Sequence, residues 1–148
     1  MKTLGELTRN RPMLIVNKGQ SVQEVVNYMA SNNIGAVPVL DGTRLVGIFS
    51  ERDVMVRCTA KKLDLDSTKI EDVMTKKVIL MEAHDTYEDC LKIMRQRNIR
   101  HIPVRDDNKL TGIVSMRDLM QSDVEEKEEK IEVLHSYIHY YPEIAKEI

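Results

Sequence analysis

The chain has 148 residues, 31% charged and 42% hydrophobic. That is enough for a core of its own, and no apolar run approaches the roughly 18 residues a membrane helix needs. Net charge is −2 and unevenly divided: residues 122–148 hold three Lys against eight Asp/Glu, while the rest hold 19 Lys/Arg against 16 Asp/Glu. A mildly basic body suits a small anionic ligand. It lacks the dense basic patch of a nucleic-acid binder, and with no Trp and a single Phe49 it offers no aromatic platform for bases. No nucleic-acid or membrane partner is expected. The opening MKTLGELTRNRP has no apolar h-region. Cys58 and Cys90 are therefore expected as reduced thiols, and the location as cytoplasmic.

In chain order, a β-like segment at Met13–Val16 comes first. Ser21-x-x-Glu24 then forms a capping box ahead of Val22, Val25, Val26 and Met29, the i, i+3, i+4, i+7 stripe of an amphipathic helix ending near Asn32-Asn33. Two short apolar runs, Ala36–Leu40 and Leu45–Phe49, flank the turn Asp41-Gly42-Thr43 and predict a hairpin. A helix opens at Ser50. The polar stretch 60–69 is a linker, and Ile70–Met74 is a helical turn leading onward.

The same series then recurs. Val78–Met81 is β-like, and Thr86-x-x-Asp89 caps a helix with the stripe Tyr87, Cys90, Leu91 and Met94, ending near Arg97-Asn98. The runs Ile102–Arg105 and Leu110–Val114 flank Asp106-Asp107-Asn108, and a helix opens at Ser115. Pro38 and Pro103 lack an amide donor and should lie where no ladder bond is needed. From Ser122 onward, Val124, Ile131, Leu134, Ile138 and Tyr141 fall near heptad spacing, with Lys127 in the gap. This is an amphipathic helix stopped before Pro142. Its stripe fits packing on its own body and a dimer contact equally.

At an offset of 65, Ser21–Met55 and Thr86–Met120 are identical at 13 of 35 positions without a gap. About two would be expected of unrelated text, so the chain is a duplication. Each copy reads β-α-β-β-α, an α/β (α+β) unit, and the two should pack about a pseudo-twofold. The expected divisions are 1–59 for the first repeat, 60–69 for the linker, 70–121 for the second repeat and 122–148 for the C-terminal helix and tail.

Ser50-x-x-Asp53 and Ser115-x-x-Asp118 are capping boxes by spacing. They also put a hydroxyl and a carboxylate at a helix N-terminus, where phosphate is favoured. Taken alone they favour the cap. The repeated Ala36-Val37-Pro38-Val39 with Gly47-Ile48-Phe49-Ser50-Glu51-Arg52-Asp53, and His101-Ile102-Pro103-Val104 with Gly112-Ile113-Val114-Ser115-Met116-Arg117-Asp118, resemble cystathionine-β-synthase (CBS) domains. The pair, over residues 1–121, resembles a Bateman module of the small stand-alone bacterial type.

The resemblance implies regulatory clefts for an adenine nucleotide (AMP, ADP or ATP), with NAD or S-adenosylmethionine as further adenosyl ligands. It assigns Asp53 and Asp118 to the ribose hydroxyls and Ser50 and Ser115 to the ribose and phosphate. Ala36, Val37, His101 and Ile102 would flank adenine, partly through backbone groups. Pro12–Leu14 and Lys77–Ile79 would close the other side of the base. Arg52 and Arg117, in the first helical turns, could supply charge to a polyphosphate. Gly47 and Gly112 would admit a close backbone approach. The resemblance also implies a homodimer and an unidentified regulated protein partner. Whether one cleft or both are filled stays open, since Ala36 in one copy answers to His101 in the other.

Other candidates are weaker. His135 and His139 stand at i, i+4 but lack a third ligand for zinc. Cys90 lies in an apolar stripe and should be buried; Cys58 should be the more exposed. No P-loop, G-x-S-x-G, H-E-x-x-H or G-x-G-x-x-G occurs, so no enzyme is expected. The alternative to a ligand sensor is an adaptor acting through dimerisation and a protein partner.

Overall fold

The computed structural model describes residues 2–140, with side chains up to Ile138. Tyr141 and the helix stop at Pro142, both named above, lie outside them, as does the side chain of His139. Two three-stranded sheets carry the fold, ordered β1-β2-β3 and β4-β5-β6. In the first, β1 (Val16–Asn17) runs parallel to β2 (Ala36–Asp41), which forms a hairpin with β3 (Arg44–Ser50). The second repeats this with β4 (Met81–Glu82), β5 (His101–Asp106) and β6 (Lys109–Ser115). The second hairpin turns on Asp107 and Asn108, both at positive φ, as a two-residue turn that follows strand twist requires.

The outer strands are shorter than the sequence suggests. Met13–Ile15 and Val78–Leu80 are not in strand conformation. The parallel ladder reaches only Val39 and Leu40 in one sheet and Val104 and Arg105 in the other. The β1 and β4 sides of Ala36–Pro38 and His101–Pro103 are thus left without a strand.

Helices α2 (Val22–Ser31) and α5 (Tyr87–Arg97) start where Ser21 and Thr86 accept the N–H of Glu24 and Asp89. Their stripes bury Val22, Val25 and Met29 against one sheet, and Tyr87, Cys90, Leu91 and Met94 against the other. Fully burying such a side chain contributes about 1.5–3 kcal/mol.

The two cores exchange their leading helices. Helix α1 (Leu4–Thr8), capped by a complete Thr3–Glu6 box, opens the first repeat in sequence, yet Leu4 is buried in the second core. Leu4 and Gly5 donate their N–H groups to Asp85 and Ala83 carbonyls at 2.9 and 2.8 Å. Conversely α4 (Ile70–Val73), which leads into the second repeat, buries Ile70, Val73 and Met74 in the first core. Thr75 and Ile48 exchange N–H···O bonds of 2.9 and 3.0 Å. Gly47 makes this crossing possible, because a Cβ there would sit 2.9 Å from the Thr75 carbonyl oxygen and 2.4 Å from Met74 Sδ.

The closing helices differ. After β3, α3 (Glu51–Asp53) passes into a π-helical segment, Val54–Thr59, with Ala60 N–H bonded to Met55 O at 2.9 Å. Its wider register turns Cys58 into the first core, correcting the expectation that this thiol is the more exposed. Burial, with Asp53 assisting, pushes its pKa up. Cys90 is likewise buried, and its burial pushes the thiol up to about 12. After β6, α6 (Met116–Tyr140) is one continuous α-helix running through position 121. The Tyr87 hydroxyl donates to Glu126 and to Asp123 (3.1 Å), tying α6 to the body and pushing the phenol pKa well up. From Lys127 to Ile138 the helix is exposed, with Ile131, Leu134 and Ile138 among its apolar residues.

Candidate functional site

Two clefts lie where the repeats meet, and each draws on both. The larger, about 940 Å³, has on one wall the start of α6: Ser115, Arg117 and Asp118. Facing it are the first repeat's Arg11–Leu14 and Ile34–Ala36. Asp118 Oδ2 accepts the Ser115 N–H at 2.9 Å, and Ser115 Oγ accepts the Asp118 N–H at 3.1 Å, closing the box at the helix start. The same Oδ2 takes Arg11 Nη1 at 2.9 Å from the other repeat. Partial burial works to raise the carboxyl pKa, but the hydrogen bonds from Arg11 and Ser115 outweigh it and hold Asp118 below the usual carboxylate range. Arg100 and Arg117 add two further cations to the lining. Gly112 also lines this cleft, and a Cβ there would meet Thr8 Cγ2 at 3.2 Å.

The smaller cleft, about 320 Å³, takes Ser50, Arg52 and Asp53 from the first repeat and Asn98–His101 from the second. Here the serine hydroxyl also donates to the carboxylate. Asp53 Oδ2 accepts both the N–H (3.0 Å) and the hydroxyl (3.2 Å) of Ser50, while Oδ1 faces Arg57 Nε at 3.4 Å. Arg57 also donates to the carbonyls of Val73 and Met74 at 3.3 and 3.0 Å, so it caps the crossing helix α4 as well. Glu51, Arg100 and His101 line both clefts and form their common wall. Burial pushes the His101 pKa down, outweighing the carboxylates of Glu51 and Asp118; Arg100 acts in the same sense as burial.

The sequence-derived residues thus gather in crossed sets: Ala36 with Ser115, Arg117 and Asp118, and His101 with Ser50, Arg52 and Asp53. Pro12–Leu14 line the larger cleft as expected of the segment ahead of β1. Lys77–Ile79 line neither cleft, and Ile79 packs against the second core. Val37 and Ile102 are core side chains, so only their backbone is left to face a ligand. Gly47 lines neither cleft; the backbone that approaches it belongs to Thr75. Sequence reasoning missed Arg11, for which no local pattern exists, and Arg57, whose i+4 spacing from Asp53 was a readable signal. Among the described residues no cluster of metal-binding side chains occurs, and no helix is long and apolar enough to cross a membrane.

A duplicated sheet-and-helix unit with a Ser-x-x-Asp helix start in each copy defines a tandem module, and comparison with known proteins gives its family. The CBS domain model matches residues 4–58 and 70–125, and the chain belongs to the CBS-domain family. Its first matched stretch begins at α1 and its second at α4, so the crossed leaders are part of the repeating unit. Tandem CBS domains are regulatory modules. The CBS domain-containing protein YhcV of Bacillus subtilis (strain 168) is 33% identical over 112 residues, 76% of this chain and 79% of that protein. The fold is similar to a CBS-domain protein from Burkholderia ambifaria MC40-6 (TM-score 0.78, 30% identity, covering 83% of this chain and 94% of that one). It is also similar to a CBS domain protein from Pyrobaculum aerophilum, solved in complex with AMP (TM-score 0.70, 29% identity, 78% and 88% covered).

Proposed function

We propose that this chain is a non-catalytic cytoplasmic sensor that binds an adenine nucleotide or related adenosyl compound, first of all in the cleft of Asp118. The observation that carries this reading is the opposition of two repeats across one cavity. The Ser115–Asp118 helix start of one faces Pro12–Leu14 and Ala36 of the other, with Arg11, Arg100 and Arg117 around it. A carboxylate accepts from vicinal ribose hydroxyls, a helix start and arginines suit phosphate, and the strandless side of Ala36–Val37 suits the base edge. The AMP complex of the Pyrobaculum relative supports the ligand class. A ligand touching both repeats favours the arrangement that closes them, and linkage carries that preference to any surface that differs between states.

The exposed stripe of α6 favours association as the output: a homodimer through Val124, Ile131, Leu134 and Ile138, or a regulated protein on the same face. Calorimetry with AMP, ADP, ATP, NAD and S-adenosylmethionine tests the sensor reading. Micromolar binding of at least one is expected; no heat from any of them on folded protein would overturn it. Sedimentation of an Ile131→Glu, Leu134→Glu variant tests the output: a shift from dimer to monomer is expected, and a wild-type chain that sediments as a monomer overturns the homodimer.

A further inference from the structure

We propose that Arg11 is an exchangeable counter-ion that makes the Asp118 cleft selective for 5′-phosphorylated adenosyl ligands over adenosine and S-adenosylmethionine. This deepens, and rests on, the reading of Asp118 as the ribose acceptor. The guanidinium stands 2.9 Å from the carboxylate oxygen that also closes the helix cap. Ribose hydroxyls reach that carboxylate fully only when the guanidinium swings away.

Arg11 is well placed for such an exchange. It follows α1, which is fixed to the second repeat by the burial of Leu4 and by the Ala83 and Asp85 bonds. Asn10, at φ 64°, turns the chain between that anchor and the cleft. The side chain itself is partly exposed, so it can move without unfolding its support.

The balance then depends on what the ligand carries at its 5′ position. Adenosine breaks the ion pair and gives the guanidinium nothing in return. A 5′-phosphate, joined to the same ribose, supplies a new anion within reach of a displaced Arg11 and beside Arg117 on the first turn of α6. S-adenosylmethionine brings a cationic sulfonium to a lining that already holds Arg11, Arg100 and Arg117. The second cleft has no equivalent device. There the aspartate's cation is Arg57, four residues on along the same helical segment and tied to the Val73 and Met74 carbonyls, so it is not free to follow a phosphate.

The test is the ratio of AMP to adenosine affinity, by calorimetry, in the full chain and in Arg11→Gln and Arg11→Lys. Wild type should prefer AMP by about tenfold or more, the worth of a charge-assisted contact. Arg11→Gln should weaken AMP and strengthen adenosine, collapsing the ratio, and Arg11→Lys should fall between. Equal weakening of both ligands, or an unchanged ratio, would overturn the exchange while leaving the nucleotide reading intact. Wild type that binds AMP and adenosine alike would do the same. Binding of neither to wild type would overturn the exchange, and the nucleotide reading would fall with it only if ADP, ATP, NAD and S-adenosylmethionine also gave no heat. Salt gives a readout independent of folding in the variants: added NaCl should weaken AMP and strengthen adenosine on wild type, as the ion pair is screened. Parallel responses of the two ligands would count against the exchange.

Discussion

The two aspartates began as one residue copied, and their surroundings have diverged. Asp118 sits at the edge of a cleft of about 940 Å³ and pairs with an arginine from the other repeat; Asp53 sits by one of about 320 Å³ and pairs within its own helical segment. The serine, the aspartate and the cap hydrogen bonds are the same in both. What changed is the next layer: a π-helical register behind Asp53, a continuous 25-residue α-helix behind Asp118, and Ala36 where the other copy has His101. A cap is local and survives duplication with its sequence. A cleft is assembled from distant segments, and each of those can drift separately.

The contrast can be broken at the aspartates first. Asp118→Asn should cost about 2–3 kcal/mol of nucleotide affinity, the worth of hydrogen bonds to a charged acceptor, with Asp53→Asn costing clearly less. Calorimetry on both variants checks this, and equal losses would make the clefts equivalent. Next come the two glycines. Gly47→Ala forces Met74 and the Thr75 backbone apart and should destabilise by about 1–3 kcal/mol in urea unfolding. At Gly112 the nearest obstacle is Thr8 Cγ2 at 3.2 Å, so Gly112→Ala should cost well under about 1 kcal/mol.

The smallest effect concerns the common wall. His101 has its pKa lowered by burial despite Glu51 and Asp118, with Arg100 also lowering it. The folded chain therefore binds that proton less readily than the unfolded one. Its contribution is fully present above the unfolded value near 6.5 and is lost as pH falls through the folded value. His101→Ala, which copies the Ala36 wall, should flatten the decline in melting temperature below about pH 6.5. An unchanged decline would mean that other groups carry it.

Duplication made the repeats, caps and hairpins legible, because those depend on residues within a few positions of one another. Ser50-x-x-Asp53 could be read as both a cap and a candidate ligand group because the hydrogen-bond chemistry of the two is shared. The crossing of α1 and α4 could not be read. Leu4 and Ile70 are apolar residues on short helices, and nothing within their segments says which of two similar cores will take them. Arg11 was hidden for the same reason, since its partner is 107 residues away. Cys58 was misjudged because its burial follows from π-helical geometry, which a 3.6-residue period does not anticipate.

The exchanged helices also set an order of events during synthesis. The first repeat's strands and α2 leave the ribosome before Ile70, Val73 and Met74, yet its core includes those three side chains. Leu4, made well before them, has its place only once Tyr87, Val104 and Val114 have followed. The nascent chain must therefore hold an incomplete first core and an unplaced N-terminal helix until the second repeat arrives. The two halves complete each other late, rather than folding one after the other.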